Sequence, residues 1–472
     1  MLIMRLKTIL VILILTFSVF SITSDAMIDS LDSEEKIDFS SKNLDGEIGD
    51  LVFGWALTGE NNVAVQSDML NDFDFDSNGD IYAVGTFSHT EEFGETIVTS
   101  LASHDGYIVK ISEEGEWGAV KTFSSSYDFS LEKVSVNNVG NIAIAGHFSD
   151  STMECDDLSI SNEDDNGGSM DIFVAVLDSN FNCLWLNSIG GENNDVVKEL
   201  IFNDDGTVLM GGMVQDIVYF GTQGTDGTAE DGFVCKFTNQ GDINWGHRIN
   251  GINDQSVNTI LQNSDGTILV GGDSDNKAEI DGGGDNKSSN QAGYILKLDS
   301  SANIISLEPI PGVVIEIAKN PTNSDIFIAG TYSGTKSFGD ISTTSMGYRD
   351  VYVSKYIYPD DFSNFNQASS SDVVDLYSLS FTPSGHILVA GSWGKLFDDY
   401  GLELGTLSID SSDYIDAFVA TLDPYGEWTW AIRGTSDRDD IAKKAVIDSK
   451  GSLIIGCLLY TSPSPRDRTR SR

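Results

Sequence analysis

Short runs of alternating aliphatic residues, each opened by a polar turn and closed by glycine, recur along the chain. The first is Gly79-Asp80-Ile81-Tyr82-Ala83-Val84-Gly85, and the next is Gly140-Asn141-Ile142-Ala143-Ile144-Ala145-Gly146. Equivalent phrases close at Gly212, Gly272, Gly330, Gly391 and Gly456, so the period is about sixty residues. A second phrase follows the first six: Asp105-Gly106-Tyr107-Ile108-Val109-Lys110, with counterparts opening at Asp171, Asp231, Gly293, Asp350 and Asp416. A third carries tryptophan, at Trp117, Trp185, Trp245 and Trp428/Trp430, and Trp55 stands in the same context ahead of the first unit. Each unit thus predicts four β-strands, which in unit one are Asp72–Asp76, Asp80–Phe87, Tyr107–Ser112 and Glu116–Phe123. Asn78-Gly79 between the first two is a strong hairpin signal.

Four antiparallel strands per repeat, with nearly continuous apolar runs such as Ile81–Val84, suit the blades of a β-propeller packed on both faces. Separate sandwich domains would need about 100 residues each, and a β-helix a much shorter period. The segment Gly190-Gly191-Glu192-Asn193-Asn194-Asp195 leads into Asn203-Asp204-Asp205-Gly206, and Gly434-Thr435-Ser436-Asp437-Arg438-Asp439-Asp440 leads into Asp448-Ser449-Lys450-Gly451. In these the chain resembles the SBBP-type β-propeller repeat of secreted and surface-exposed prokaryotic proteins, over roughly Asp50–Gly456. The resemblance implies a fold and leaves the activity open, because propellers host many functions. Unit four departs most, with Ala292 for the aspartate of the second phrase and Ser306 for tryptophan, and less regular inner edges are expected there.

Six units are complete. Leu51–Thr58 matches only a fourth strand, and Ala442–Gly456 only a first strand and the start of a second. The expectation is a seventh, truncated blade with Leu51–Thr58 outermost and Ala442–Gly456 innermost, lacking the rest of its second strand and all of its third.

The ends differ from the repeat. Residues 1–26 read as a secretory signal peptide: Arg5 and Lys7, the apolar run Ile9–Ile22, then Ser24-Asp25-Ala26. That run is short for a membrane span, so none is expected once the signal is removed. Residues 27–49 form an acidic leader. Residues 457–472 hold four of the nine arginines, and Cys457–Asp467 resembles a translated transposase sequencing adapter, an artefact excluded from the propeller at 50–456.

Charge narrows the partners. With 27 Lys+Arg against 73 Asp+Glu, the net charge is −46. Nucleic acid and anionic membranes, which need basic patches, are excluded. His89, His104, His147, His247 and His386 fall at unrelated repeat positions. Asp74-x-Asp76-x-Asn78-Gly79-Asp80 resembles the start of a calcium loop, yet no acid follows at Tyr82–Gly85, so Asp74, Asp76, Asn78 and Asp80 are at most a weak calcium site. Acidic loops at Asp156-Asp157, Glu163–Asn166 and Asp273–Asp285 could also collect the cation weakly. Six of the seven tryptophans share one strand position and are read as blade packing rather than sugar stacking, and Trp393 as an aromatic packing slot. Cys155 and Cys183 share unit two in segments not adjacent in the blade, where a secreted protein permits a disulfide; Cys235 reads as a buried thiol. No serine-nucleophile, glycosidase or phosphate-loop motif is present. The reading is a monomeric, non-enzymatic binding module without a cofactor, for a protein or glycan ligand at the channel mouths. The alternative is a hydrolase or lyase with convergent carboxylates in the channel.

Overall fold

The computed structural model describes residues 8–16, 38–43, 52–57, 60–61 and 69–460. The last stretch is interrupted at 125–126, 150–151, 163–168, 192, 216–218, 221–222, 225–229, 252, 276–277, 281–290, 395–400, 411–413, 436–438 and 449–451. The tail at 461–472, the leader outside 38–43 and the acidic stretches 163–166 and 281–285 therefore lie outside the described residues.

The described residues form strands and no helix, in six four-stranded antiparallel blades of a β-propeller. In blade 1 the order from the channel outward is Met69–Phe75, Ile81–Phe87, Asp105–Ile111 and Trp117–Phe123. Blade 4 keeps the same plan despite its departures, with Gln255–Gln262, Ile268–Ser274, Gly293–Leu298 and Ile304–Ile310. Ser306 is buried there, and a cleft of about 260 Å³ opens beside Ala292, where five sister blades place a buried aspartate.

A seventh sheet stands between blades 6 and 1. Its order is Ile441–Ile447, Ser452–Tyr460, Thr8–Thr16, Val52–Leu57. The segment containing Trp55 is outermost, and the strand beginning at Ile441 is innermost. The gap expected at the third strand is filled, and by residues the sequence assigns to the signal peptide. Thr8–Thr16 pairs with Ser452–Tyr460 on one side and Val52–Leu57 on the other, so in this structure the apolar N-terminal run is a strand of the propeller. An unfilled slot would leave the edge of a buried strand without ladder partners, and an apolar β-branched run fits it.

Apolar packing closes the ring. Seven clusters of buried residues each join neighbouring sheets: Leu388 and Val419 meet Ala442 and Leu453, and Ile454 meets Leu70 and Phe73. Insertions between the second and third strands reach to the preceding blade. Glu279–Ile280 pairs with the outer strand of blade 3, and Leu402–Leu404 with that of blade 5. In blade 2 the hairpin Thr152–Cys155/Leu158–Ser161 is tied covalently: Cys155 is disulfide-bonded to Cys183 at the start of the fourth strand, with Cα atoms 6.0 Å apart. These two segments, taken from the sequence as not adjacent, are neighbours because the hairpin folds back along its own blade.

One device repeats in every inner strand. A β-bulge pushes a single residue out of the ladder: Asn71, Glu132, Lys198, Asn258, Ile315, Tyr377 and Lys443. The bulge tips a carbonyl toward the second strand, where the closing glycine lies. A Cβ on Gly85, Gly146, Gly212, Gly272, Gly330 or Gly391 would run into the carbonyl oxygen of Met69, Ser130, Val196, Ser256, Val313 or Asp375 respectively. The phrase-ending glycine is thus demanded by the bulge opposite it. In the seventh sheet the pairing Ala442↔Cys457 puts Cys457, not Gly456, at this position; the strand Ser452–Tyr460 thus runs four residues into the segment read as an adapter and set outside the propeller.

Candidate functional site in the central channel

The bulge decides what faces the channel. The residue after the bulge leaves the packed face and is presented inward, while the extruded residue either joins it, as the lysines do, or packs between blades, as Ile315 does against the core of blades 5 and 6. The set after the bulge, one per sheet, is Asp72, Lys133, Glu199, Thr259, Glu316, Ser378 and Lys444. In a chain of net charge −46, four of the eighteen lysines (Lys133, Lys198, Lys443 and Lys444) occupy these positions. The channel wall is thereby close to charge-balanced.

Many of these groups stitch one blade to the next. Lys444 donates to Asp72 at 2.7 Å. Asp72 accepts from the Val134 amide at 3.2 Å, and Asp74 from the Val136 amide at 2.7 Å. Asn71 donates to the Leu131 carbonyl at 3.0 Å. Thr259 accepts from the Ile317 amide at 3.1 Å and donates to Glu316 at 3.3 Å. Lys198 donates to Ser256 and Asn258, and Asn258 to Asp273 and the Val314 carbonyl. Lys443 lies 4.9 Å from the Tyr377 ring centre.

Electrostatics follow from the crowding. Burial raises the pKa of Glu316, the nearby Glu199 raises it further, and Lys133 and Lys444 only partly oppose, leaving it pushed up to about 8. Glu199 is also raised, by burial first, against Lys133. Asp74 is raised by burial despite Lys444 and the Val136 amide. Burial disfavours the charged forms of Lys133 and Lys444, but the carboxylates around them outweigh it and hold both above the ordinary lysine value. At the rim, His147 is held low by burial, against the pull of Glu132. Its Nε2 accepts from the Val197 amide at 3.1 Å, which makes it a neutral imidazole.

The residues singled out from the sequence lie elsewhere. Asp76 and Asp80 meet at Lys110, whose ammonium sits 3.6 and 2.8 Å from their carboxylates. Asp76 also accepts from the amides of Asn78 and Asp80, and Asp80 from that of Glu113. Asn78 joins this turn through its side chain at 3.4 Å from Asp76. Asp74 is turned away, toward the next inner strand. Among the described residues no three His, Cys, Asp or Glu side chains group as a metal cluster. The histidines are dispersed: His89 holds a positive-φ turn, His104 is 3.6 Å from Asp128, His247 contacts the Ala302 carbonyl and His386 contacts Ser384. Trp393 is fully buried against Phe418, and Cys235 is buried.

The channel ring was missed in the sequence because its members differ chemically from blade to blade. Its signal is positional, a polar residue about thirteen places before the closing glycine, as in Asp72 before Gly85 and Lys133 before Gly146.

No family model matches the chain, and no curated protein matches it. Among solved structures it is similar to a protein of unknown function from Bacteroides caccae, at 10% identity and TM-score 0.37 over 69% of this chain and 89% of that one. It is similar to the Dos1 propeller at 9% identity and TM-score 0.40, over 84% and 79%. It is also similar to BamB from Moraxella catarrhalis at 11% identity and TM-score 0.32, over 85% and 100%.

Proposed function

We propose that this chain is a secreted or cell-surface β-propeller of the SBBP repeat class, a monomer acting as a non-enzymatic binding module or scaffold for a protein or glycan ligand. The observation that carries this reading is the use made of the channel: its polar side chains are engaged with backbone groups and lysines of neighbouring blades, which builds a ring rather than a reaction centre. The Cys155–Cys183 disulfide suits an oxidising compartment. Calcium is at most an accessory ligand at Asp74, Asp76, Asn78 and Asp80, where Lys110 already supplies positive charge.

One observation favours the alternative of a channel hydrolase or lyase: Glu199 and Glu316, both raised in pKa, stand near Lys133. The two readings separate in a turnover assay on neutral and acidic polysaccharides and on ester substrates, comparing the parent with the Glu199→Gln/Glu316→Gln double variant. The binding module shows no turnover above background in either protein. Turnover in the parent that the double variant loses would replace this reading with the enzyme. Mass spectrometry of the exported protein tests secretion: Met27 at the mature N-terminus supports the signal peptide and empties the third slot of the seventh sheet, whereas an uncleaved N-terminus keeps Thr8–Thr16 in that slot and overturns the signal-peptide reading.

A further inference from the structure

Between blades 2 and 3, on the face that carries the turns joining first to second strands, lies a cleft of about 410 Å³. That is within the range of small-ligand sites. One wall is the turn Asn137–Asn141 of blade 2, and another is the turn at Asn239 and Gln240 of blade 3. Its exposed apolar surface comes from Leu184 and Val139, which are 51% and 73% exposed; Trp185 beneath them is almost buried, its ring stacked on Phe237.

The repeat shows that this turn differs from its sisters. In blades 3 and 4 the equivalent Asn203 and Asn263 donate their side-chain amides to Thr207 and Thr267, each at 3.1 Å. In blade 2 the threonine position is Asn141. Asn137 is only 4% exposed, and its Oδ1 accepts from the Val139 and Asn141 amides at 3.2 and 3.0 Å. Its Nδ2 has no partner among the described residues and is left for the cleft the residue lines. The carboxamides of Asn141, Asn239 and Gln240 likewise have no side-chain partner among the described residues.

We infer that this cleft binds a neutral saccharide. A carboxamide offers a donor and an acceptor side by side, which matches vicinal hydroxyls. The apolar strip suits the carbon–hydrogen face of a pyranose ring. No lysine or arginine lines the cleft, and Asp204 and Asp205 border it, so phosphates and uronates are disfavoured. A cation gains little, since Asp204 is held by the Asn138 amide and side chain at 3.0 and 2.6 Å, and Asp205 by Thr207. The inference names a ligand class for the binding-module reading but stands at a different place from the channel.

The test is calorimetric titration with cellotriose, maltotriose, mannotriose, xylotriose and chitotriose, and with trigalacturonate as the anionic counterpart. Saturable binding of at least one neutral trisaccharide is expected, with trigalacturonate at least tenfold weaker. Asn137→Asp keeps the turn acceptor, as Asp76 does in blade 1, and replaces the donor by a carboxylate, which here has Val176 where blade 1 has Lys110. It and Asn239→Ala are expected to weaken binding at least tenfold, Asn239→Ala with the melting temperature unchanged and Asn137→Asp with the variant still folded. The Glu199→Gln/Glu316→Gln channel variant should bind as the parent does. No saturable binding to any neutral trisaccharide, or binding that Asn137→Asp and Asn239→Ala leave intact, overturns the inference. Binding lost only in the channel variant would also overturn it while supporting the channel.

Discussion

Single positions in this chain are governed by what the bulge leaves room for. Six second strands carry glycine where a Cβ would strike a carbonyl, and the seventh carries Cys457, which is buried. Overpacking of this kind costs about 1–3 kcal/mol, against roughly 0.5–1 kcal/mol for the extra freedom of glycine in the unfolded chain. Gly212→Ala is therefore expected to destabilise the protein by about 1–2 kcal/mol in urea unfolding; unchanged stability would show that the bulge opposite relaxes away from the added methyl. The turn at Asp76 supports a second expectation. Lys110 bridges Asp76 and Asp80, so a calcium ion would have to displace an ammonium already in place. Millimolar Ca²⁺ should raise the melting temperature no more than NaCl of equal ionic strength, which screens the excess of acids. A larger rise with calcium, abolished by Asp76→Asn, would establish a site there. These positions also mark the limit of sequence reading. The glycines were legible as a repeat, but their reason was not, because the bulge is a property of the opposite strand. Lys110 was equally hidden: it lies thirty residues from Asp80 and meets it only across the blade.

Strands and their hairpins were the most legible level. Polar turns ending in glycine have a physical cause in the positive φ of Gly79, Gly140, Gly206, Gly266 and Gly385, and this spacing set the first and second strands. The insertions between second and third strands were not legible. Their pairing partners, such as the outer strand of blade 5 for Leu402–Leu404, belong to another repeat. The Cys155–Cys183 bond makes the same point, since adjacency within blade 2 depends on how an insertion folds back. It closes a loop with a sequence separation of 28. Chain entropy then assigns it about 3–4 kcal/mol. Replacing both cysteines by serine should lower the unfolding free energy by about 2–4 kcal/mol, while hydrogen exchange rises at Thr152–Ser161 well before it rises in the buried second strand Ile142–Phe148. Uniform loosening of the whole blade would instead mean that the hairpin is part of its core.

At the scale of the whole molecule, the ring brings together groups that no repeat places near each other, and its titration reports on closure. Glu316 faces Thr259 from blade 4, and Glu199, Lys133 and Lys444 act on it from blades 3 and 2 and from the seventh sheet; Ser378 and Tyr377 hold the corresponding positions in blade 6. Its pKa rises from an ordinary 4.5 in the unfolded chain to about 8 in the ring. Between those values the folded protein holds more protons than the unfolded one. The stability linked to Glu316 is therefore complete below about pH 4.5 and is lost as the pH climbs through about 8. Other groups add their own slopes. His147, held low by burial, lowers stability as the pH falls below its ordinary 6.5. Cys235, raised by burial, lowers stability in the alkaline range where unfolded thiols ionise. Comparing Glu316→Gln with the parent cancels both. Glutamine keeps the shape and can still accept from Thr259, but it carries no charge to repel Glu199. The variant should match the parent near pH 5 and exceed it at pH 8 by at least about 1 kcal/mol, the worth of a little under one pKa unit, in urea unfolding followed by tryptophan fluorescence. Parallel stability curves for the two proteins from pH 5 to 8.5 would mean that the carboxylate is solvated as if it stood outside the channel, and that the seven inner strands do not converge as described.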